Sequence, residues 1–153
     1  MSVMLTHAHP STVPTTSAHH HQGHILVVED DLIIADLIDQ ILRFESFSIS
    51  HVVDGQSAID FVGTSIPDLI LMDLMLPVMS GIEASRLIKA SDRHEVAGIP
   101  IVAMSAGVNL RAAAGDLPVD GVLAKRFDID ELLATVGIHL RRPIGDEGND
   151  RSV

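Results

Sequence analysis

Asp68-Leu69-Ile70-Leu71-Met72-Asp73-Leu74-Met75-Leu76-Pro77-Val78-Met79-Ser80-Gly81 is the stretch that decides the fold. Its apolar run, Leu69 to Met72, is too short for an ordinary helix and reads as a strand buried on both faces, so Asp73 stands where strand gives way to loop. In parallel sheets that edge is where ligands bind. Upstream, Ile25-Leu26-Val27-Val28 runs straight into Glu29-Asp30-Asp31. Two buried strands ending in carboxylates make an acidic pocket.

Outward from these two runs, strand and helix patterns alternate five times. Strands are predicted over Ile25 to Val28, Phe47 to Val52, Asp68 to Met72, Ile99 to Met104 and Gly121 to Ala124. A first helix runs from near Asp31 to Phe44 on the spacing of Ile34, Leu37, Ile38, Ile41 and Leu42. A second follows the Asp54-Gly55 turn to Gly63, and Gly81 opens a third through Ile82, Leu87 and Ile88. Asn109 to Ala114, between Gly107 and Gly115, is a short fourth. The last is announced by the acidic capping box Asp128-Ile129-Asp130-Glu131 and the stripe Ile129, Leu132, Leu133, Val136. Such alternation implies right-handed crossovers and a parallel sheet with helices on both faces. One edge then carries Glu29, Asp30 and Asp31 after the first strand, Asp73 after the third, Ser105 after the fourth and Lys125 after the fifth.

At 153 residues the chain suits one domain with tails. We divide it into a His-rich tail 1–23, a domain 24–141 and a polar tail 142–153. The first segment reads as a solvated tail, with transition-metal binding by its histidines the competing reading. The absence of cysteine excludes disulfides and thiolate chemistry. A net charge of −11, with Lys89 and Lys125 the only lysines, argues against nucleic-acid binding. No apolar stretch approaches the ~20 residues that span a bilayer, and no basic start marks a signal peptide, so the expected place is the cytoplasm.

Crowded carboxylates repel one another unless a cation joins them. An all-oxygen donor set suits Mg²⁺, with Asp30 and Asp73 as direct ligands and Glu29 direct or through water. Lys125 adds an ammonium and Ser105 a hydroxyl, which together with the metal complement a phosphoryl group in transfer. Asp73 is the candidate carboxylate nucleophile. The blocks Ile25 to Asp31, Asp68 to Gly81, Ile101-Val102-Ala103-Met104-Ser105-Ala106 and Leu123-Ala124-Lys125 resemble, in order, the receiver domain of two-component response regulators. The resemblance covers residues 24 to about 140. It implies an α/β flavodoxin-like fold, five parallel strands in the order 2-1-3-4-5. It further implies phosphotransfer from a histidine kinase or histidine phosphotransfer protein to Asp73. Mg²⁺ would be held by Glu29, Asp30, Asp73 and the main-chain carbonyl of Met75, and Ser105 and Lys125 would hold the phosphoryl oxygens. The implied role is a stand-alone signalling receiver that acts on a downstream protein target and is not a classical enzyme.

Two positions depart from the family pattern. Arg126 follows Lys125 where the family usually has proline after a cis bond. A cis bond before a non-proline residue costs about 2.5–4 kcal/mol, so this bond is expected to be trans. Val122 stands where a switching Tyr or Phe is common, with Phe127 as a substitute or a packed residue, and the readout is expected in the Gly107 to Pro118 segment. Asp31 reads as a helix cap, and Met72, Met75 and Met79 as packing. His51, His94 and His139 are expected on surfaces, without roles. The competing functions are a degenerate receiver used only for binding and a metal-dependent phosphatase. The phosphatase needs an acid/base carboxylate two residues after Asp73, where Met75 stands. Met75 and Gly107 also offer no side chain to orient attacking water, so self-hydrolysis is expected to be slow.

Overall fold

The computed structural model describes residues 21–107 and 115–140. Strands β1 (His24–Val28), β2 (Ser48–Val52), β3 (Leu69–Asp73), β4 (Ile101–Ser105) and β5 (Gly121–Ala124) pair in parallel as one five-stranded sheet, ordered β2-β1-β3-β4-β5. This is the flavodoxin-like order. Between them lie α1 (Leu32–Phe44), α2 (Gly55–Thr64), α3 (Gly81–Lys89), the single turn α4 (His94–Ala97) and, at the end, α5 (Ile129–His139).

The unbroken apolar strands follow from burial on both faces. Side chains alternate across a strand, so Ile25, Val27, Leu69, Leu71, Val102 and Met104 pack toward α1 and α5. Leu26, Val28, Ile70, Met72 and Ile101 pack toward α2 and α3. Each fully buried side chain of this size contributes about 1.5–3 kcal/mol of transfer free energy, which makes a one-residue register slip prohibitive.

The long helices all begin at the carboxyl edge of the sheet, and each has a side-chain cap there. Asp31 Oδ1 accepts from the N–H groups of Ile33 and Ile34, and Asp54 Oδ1 from that of Ser57. Ser80 Oγ accepts from the Glu83 N–H and Asp128 Oδ1 from the Glu131 N–H. These caps satisfy N–H groups that have no partner within the helix. Asp31 is thus the cap that its position suggested. Gly81 is required for a different reason, since a Cβ there would overlap the Asp73 carbonyl oxygen.

Most strand ends shift by one or two residues from the sequence reading, and one short helix is new. The third strand runs one residue further and includes Asp73, because its ladder to β4 continues through the Asp73–Met104 pair. The fourth strand starts at Ile101, after Pro100, whose nitrogen has no hydrogen to donate. The α4 turn was not anticipated: four residues present no periodicity, and Arg93 gives it no side-chain cap. The expected helix over Asn109 to Ala114 lies outside the described residues, as do most of the N-terminal tail and all of the segment from Arg141 onward.

Candidate functional site

Register brings the strand ends level. Val28 pairs with Met72, which sets Glu29 beside Asp73, and Ser105 pairs with Ala124, which sets Lys125 at the same edge. Glu29 is 0% exposed and Asp73 2%, whereas Asp30 is exposed. One carboxylate oxygen from each of the three lies within 4.8 Å of the other two.

Lys125 reaches into this cluster. Its Nζ donates to Asp73 Oδ2 at 2.9 Å and to Glu29 Oε1 at 3.1 Å. Glu29 Oε2 lies 2.9 Å from the same nitrogen, yet it receives no hydrogen bond of acceptable geometry. One ammonium therefore serves two buried carboxylates, with the exposed Asp30 carboxylate beside them, and a buried carboxylate oxygen is left short of a donor. The Asp31 N–H donates to Glu29 Oε1 at 3.1 Å, and the Met75 N–H to Asp73 Oδ1 at 3.0 Å.

The electrostatics follow from this arithmetic. Burial pushes the Glu29 carboxyl above its ordinary 4.5, with the Asp73 charge adding to the rise, while hydrogen bonds from Lys125 and the Asp31 backbone pull the other way. Burial also works against the Lys125 ammonium. Its hydrogen bonds and charge contacts with Asp73 and Glu29 outweigh that and hold it above its ordinary 10.5. The donor set is entirely oxygen and carries excess negative charge, so it fits a hard divalent cation such as Mg²⁺.

Ser105 sits at the rim, half-buried, and its Oγ accepts from the Gly107 N–H at 3.1 Å; no hydrogen bond joins it to Asp73 or Lys125. Its carbonyl accepts the Lys125 N–H at 2.8 Å, so the two residues are tied through the backbone. The described residues contain no cis peptide bond, and Lys125–Arg126 is accordingly trans. Arg126 instead takes φ +76°, and this left-handed backbone is what rebuilds the loop. Val122 packs with Leu74, Ala103, Ile82, Leu117 and Val119, while Phe127 packs against the α1/α5 core as the residue preceding the α5 cap.

Three residues show features that the sequence does not signal. Met75 is 79% exposed and does not pack into the core. Val78 is 86% exposed and holds φ +66°, a conformation that costs a β-branched side chain about 1–3 kcal/mol. Leu32 and Ile33, at the start of α1, are exposed as well. His51 lies on the surface as expected, but its Nε2 is 2.7 Å from the Glu29 carbonyl oxygen. Nothing in local periodicity signals that contact. Between α1 and α5 lies an open groove of about 580 Å³, lined by Leu37, Ile41, Phe127, Asp128, Ile129 and Asp130.

The family model for the response regulator receiver domain matches residues 25–137. Response regulator MprA of Mycobacterium sp. (strain KMS) is 34% identical over 128 residues, which are 82% of this chain and 54% of that protein. The DNA-binding response regulator MtrA of Mycobacterium tuberculosis (strain CDC 1551 / Oshkosh) is 38% identical over 120 residues, 77% of this chain and 50% of that one. The chain thus spans about half the length of the curated relatives it matches. Among solved structures, the receiver domain of the sensor histidine kinase PA1611 from Pseudomonas aeruginosa PAO1 superposes with a TM-score of 0.69 at 30% identity. That match covers 76% of this chain and 96% of that one, which carries a magnesium ion coordinated in its active-site cleft.

Proposed function

The chain belongs to the response regulator receiver domain family, a signalling module rather than a classical enzyme, and on that premise we propose that it accepts a phosphoryl group on Asp73. The observation that carries the proposal is the Lys125 ammonium held 2.9 Å from Asp73 Oδ2 in a pocket whose carboxylates outnumber it. The donor is a phosphohistidine of a histidine kinase or histidine phosphotransfer protein. A lone pair of the Asp73 carboxylate attacks phosphorus, the new O–P bond forms as the P–N bond breaks, and the released imidazole takes up a proton. Lys125 meets the phosphoryl oxygens, and Ser105 offers them its hydroxyl proton. Its Oγ keeps a lone pair for the Gly107 N–H while it donates.

Glu29, Asp30, Asp73 and the Met75 carbonyl are the proposed Mg²⁺ ligands. An ion held there would supply positive charge to offset what builds on the transferring oxygens. Asp73 can serve both tasks because each of its oxygens retains a lone pair beyond the hydrogen bonds from Met75 and Lys125. Neither Met75 nor Gly107 offers a polar side chain to orient a water, which supports slow self-dephosphorylation.

We assign the receiver to 24–141, with 1–23 and 142–153 outside it, and place its work in the cytoplasm; no helix among the described residues is long and apolar enough to cross a membrane. The donor is proposed to dock on the first helix and the loop before α5. The apolar groove there is rimmed by Asp128 and Asp130, which suits a helix bearing apolar and basic residues. A downstream protein is proposed to read the face around β5 and α5. The relative MtrA is named a DNA-binding regulator and is about twice as long as the matched part, so the acidic charge of this chain bears on the receiver alone.

The test is incubation with Mg²⁺ and acetyl phosphate, followed by intact mass spectrometry, with Asp73→Asn as control. The expected result is one phosphoryl adduct on the wild type and none on the control. A folded wild type that stays unmodified would mean a receiver used only as a phosphorylation-independent binding module.

A further inference from the structure

Glu29 is held on β2 by a device that a regular sheet does not need. The β1–β2 ladder runs from His24–Ser48 to Val28–Val52, and the Glu29 N–H continues it by donating to the Val52 carbonyl at 3.1 Å. In an unbroken parallel ladder the Glu29 carbonyl would next accept a backbone N–H from residue 54. The chain has already left the sheet there, because Asp54 is the α2 cap. The His51 ring takes that place, with its Nε2 at 2.7 Å. A carbonyl only accepts, so the ring nitrogen donates, and it does so whether or not Nδ1 carries a proton.

The peptide group whose carbonyl His51 holds is the one that contains the Asp30 nitrogen. Its plane sets the direction in which Asp30 leaves the backbone. Asp30 needs that help most: Glu29 is buried and bonded to Lys125 and Asp31, and Asp73 is bonded to Lys125 and Met75, whereas Asp30 is exposed. We infer that His51 is a positioning residue for the metal site, aiming Asp30 through the Glu29–Asp30 peptide. The inference rests on the Mg²⁺ site proposed above.

Calorimetric titration of the full chain with Mg²⁺ tests it, together with the Mg²⁺ dependence of adduct formation from acetyl phosphate. His51→Ala is expected to raise the Mg²⁺ Kd about tenfold, the lower end for residues that orient metal ligands, and to leave the rate at saturating Mg²⁺ unchanged. His51→Gln, whose amide nitrogen can reach the same carbonyl, restores most of the affinity. In an Asp30→Asn background His51→Ala adds nothing further, since the two act through one peptide. His51→Phe keeps the ring without the donor and replaces the alanine variant if that one does not fold. Wild-type affinity in the alanine or phenylalanine variant, no recovery with glutamine, or additive effects with Asp30→Asn would each overturn the inference while leaving the metal site standing. A wild type that binds no Mg²⁺ removes the site and the inference together.

Discussion

The chain has two lysines, one at each edge of the same pair of strands, and they do different things. At the amino edge Lys89 donates to Asp120 Oδ2 at 2.6 Å and to the Ile99 carbonyl at 2.8 Å, and Asp120 Oδ2 also accepts the Ile101 N–H at 2.8 Å. One ammonium meets one carboxylate, and the backbone uses what remains. At the carboxyl edge Lys125 faces Glu29 and Asp73 at once, with Asp30 close by, and a Glu29 oxygen goes without a hydrogen bond. The first arrangement is complete and clamps α3 to the starts of β4 and β5. The second is short of positive charge, which is the condition a cation or a phosphoryl-transfer site requires.

The contrast breaks most visibly at the proposed acceptor, Asp73. Asp73→Asn is expected to abolish the phosphoryl adduct, whereas Asp120→Asn forms it at the wild-type rate in the same mass-spectrometric assay. Lys125→Ala follows, with adduct formation slowed about 100-fold or more at saturating Mg²⁺, the scale for removing one charged donor from a developing oxyanion. Stopped-time mass spectra of that variant beside Lys89→Ala make the comparison, and equal rates in the two would erase the distinction.

Glu29→Gln sharpens it through stability. The substitution is expected to weaken Mg²⁺ binding about tenfold or more by calorimetry while raising the melting temperature of the metal-free protein at neutral pH. The folded Glu29 carboxyl sits above 4.5, so the folded state holds that proton more tightly than the unfolded chain does. Its stabilising contribution is present below pH 4.5 and is lost as pH rises through the folded value. The advantage of Gln is therefore greatest at neutral pH and fades below about pH 4.5. Melting curves across that range check the sign. Asp120→Ala should do the reverse, costing about 1–3 kcal/mol by leaving the buried Ile101 N–H without a partner, with the acetyl-phosphate reaction intact. The smallest effect belongs to Val78→Gly, which relieves the left-handed valine in the loop between β3 and α3 and is expected to add about 1 kcal/mol in chemical denaturation.

Much of this is legible in the sequence. Leu69 to Met72 and Ile25 to Val28 announced buried strands because both faces of those strands are covered, and Asp31 and Asp128 announced helix starts because a carboxylate there meets free N–H groups. The α4 turn was hidden because one turn has no period. Met75 misled because an apolar residue in a loop carries no periodic sign of which way it faces, and it proves exposed.

Sequence by itself thus determined the alternation of strand and helix and the residue types at the strand ends, since both are written in spacings of a few positions. Family resemblance, carried by the same blocks, supplied the strand order. Tertiary structure alone decided that Lys125 meets Glu29 across 96 positions and Asp73 across 52, that Asp30 joins those two carboxylates in one cluster, and that His51 ends the ladder beside Glu29. Those contacts depend on the register of strands far apart in the chain and on where each strand stops. Local patterning carries no measure of either.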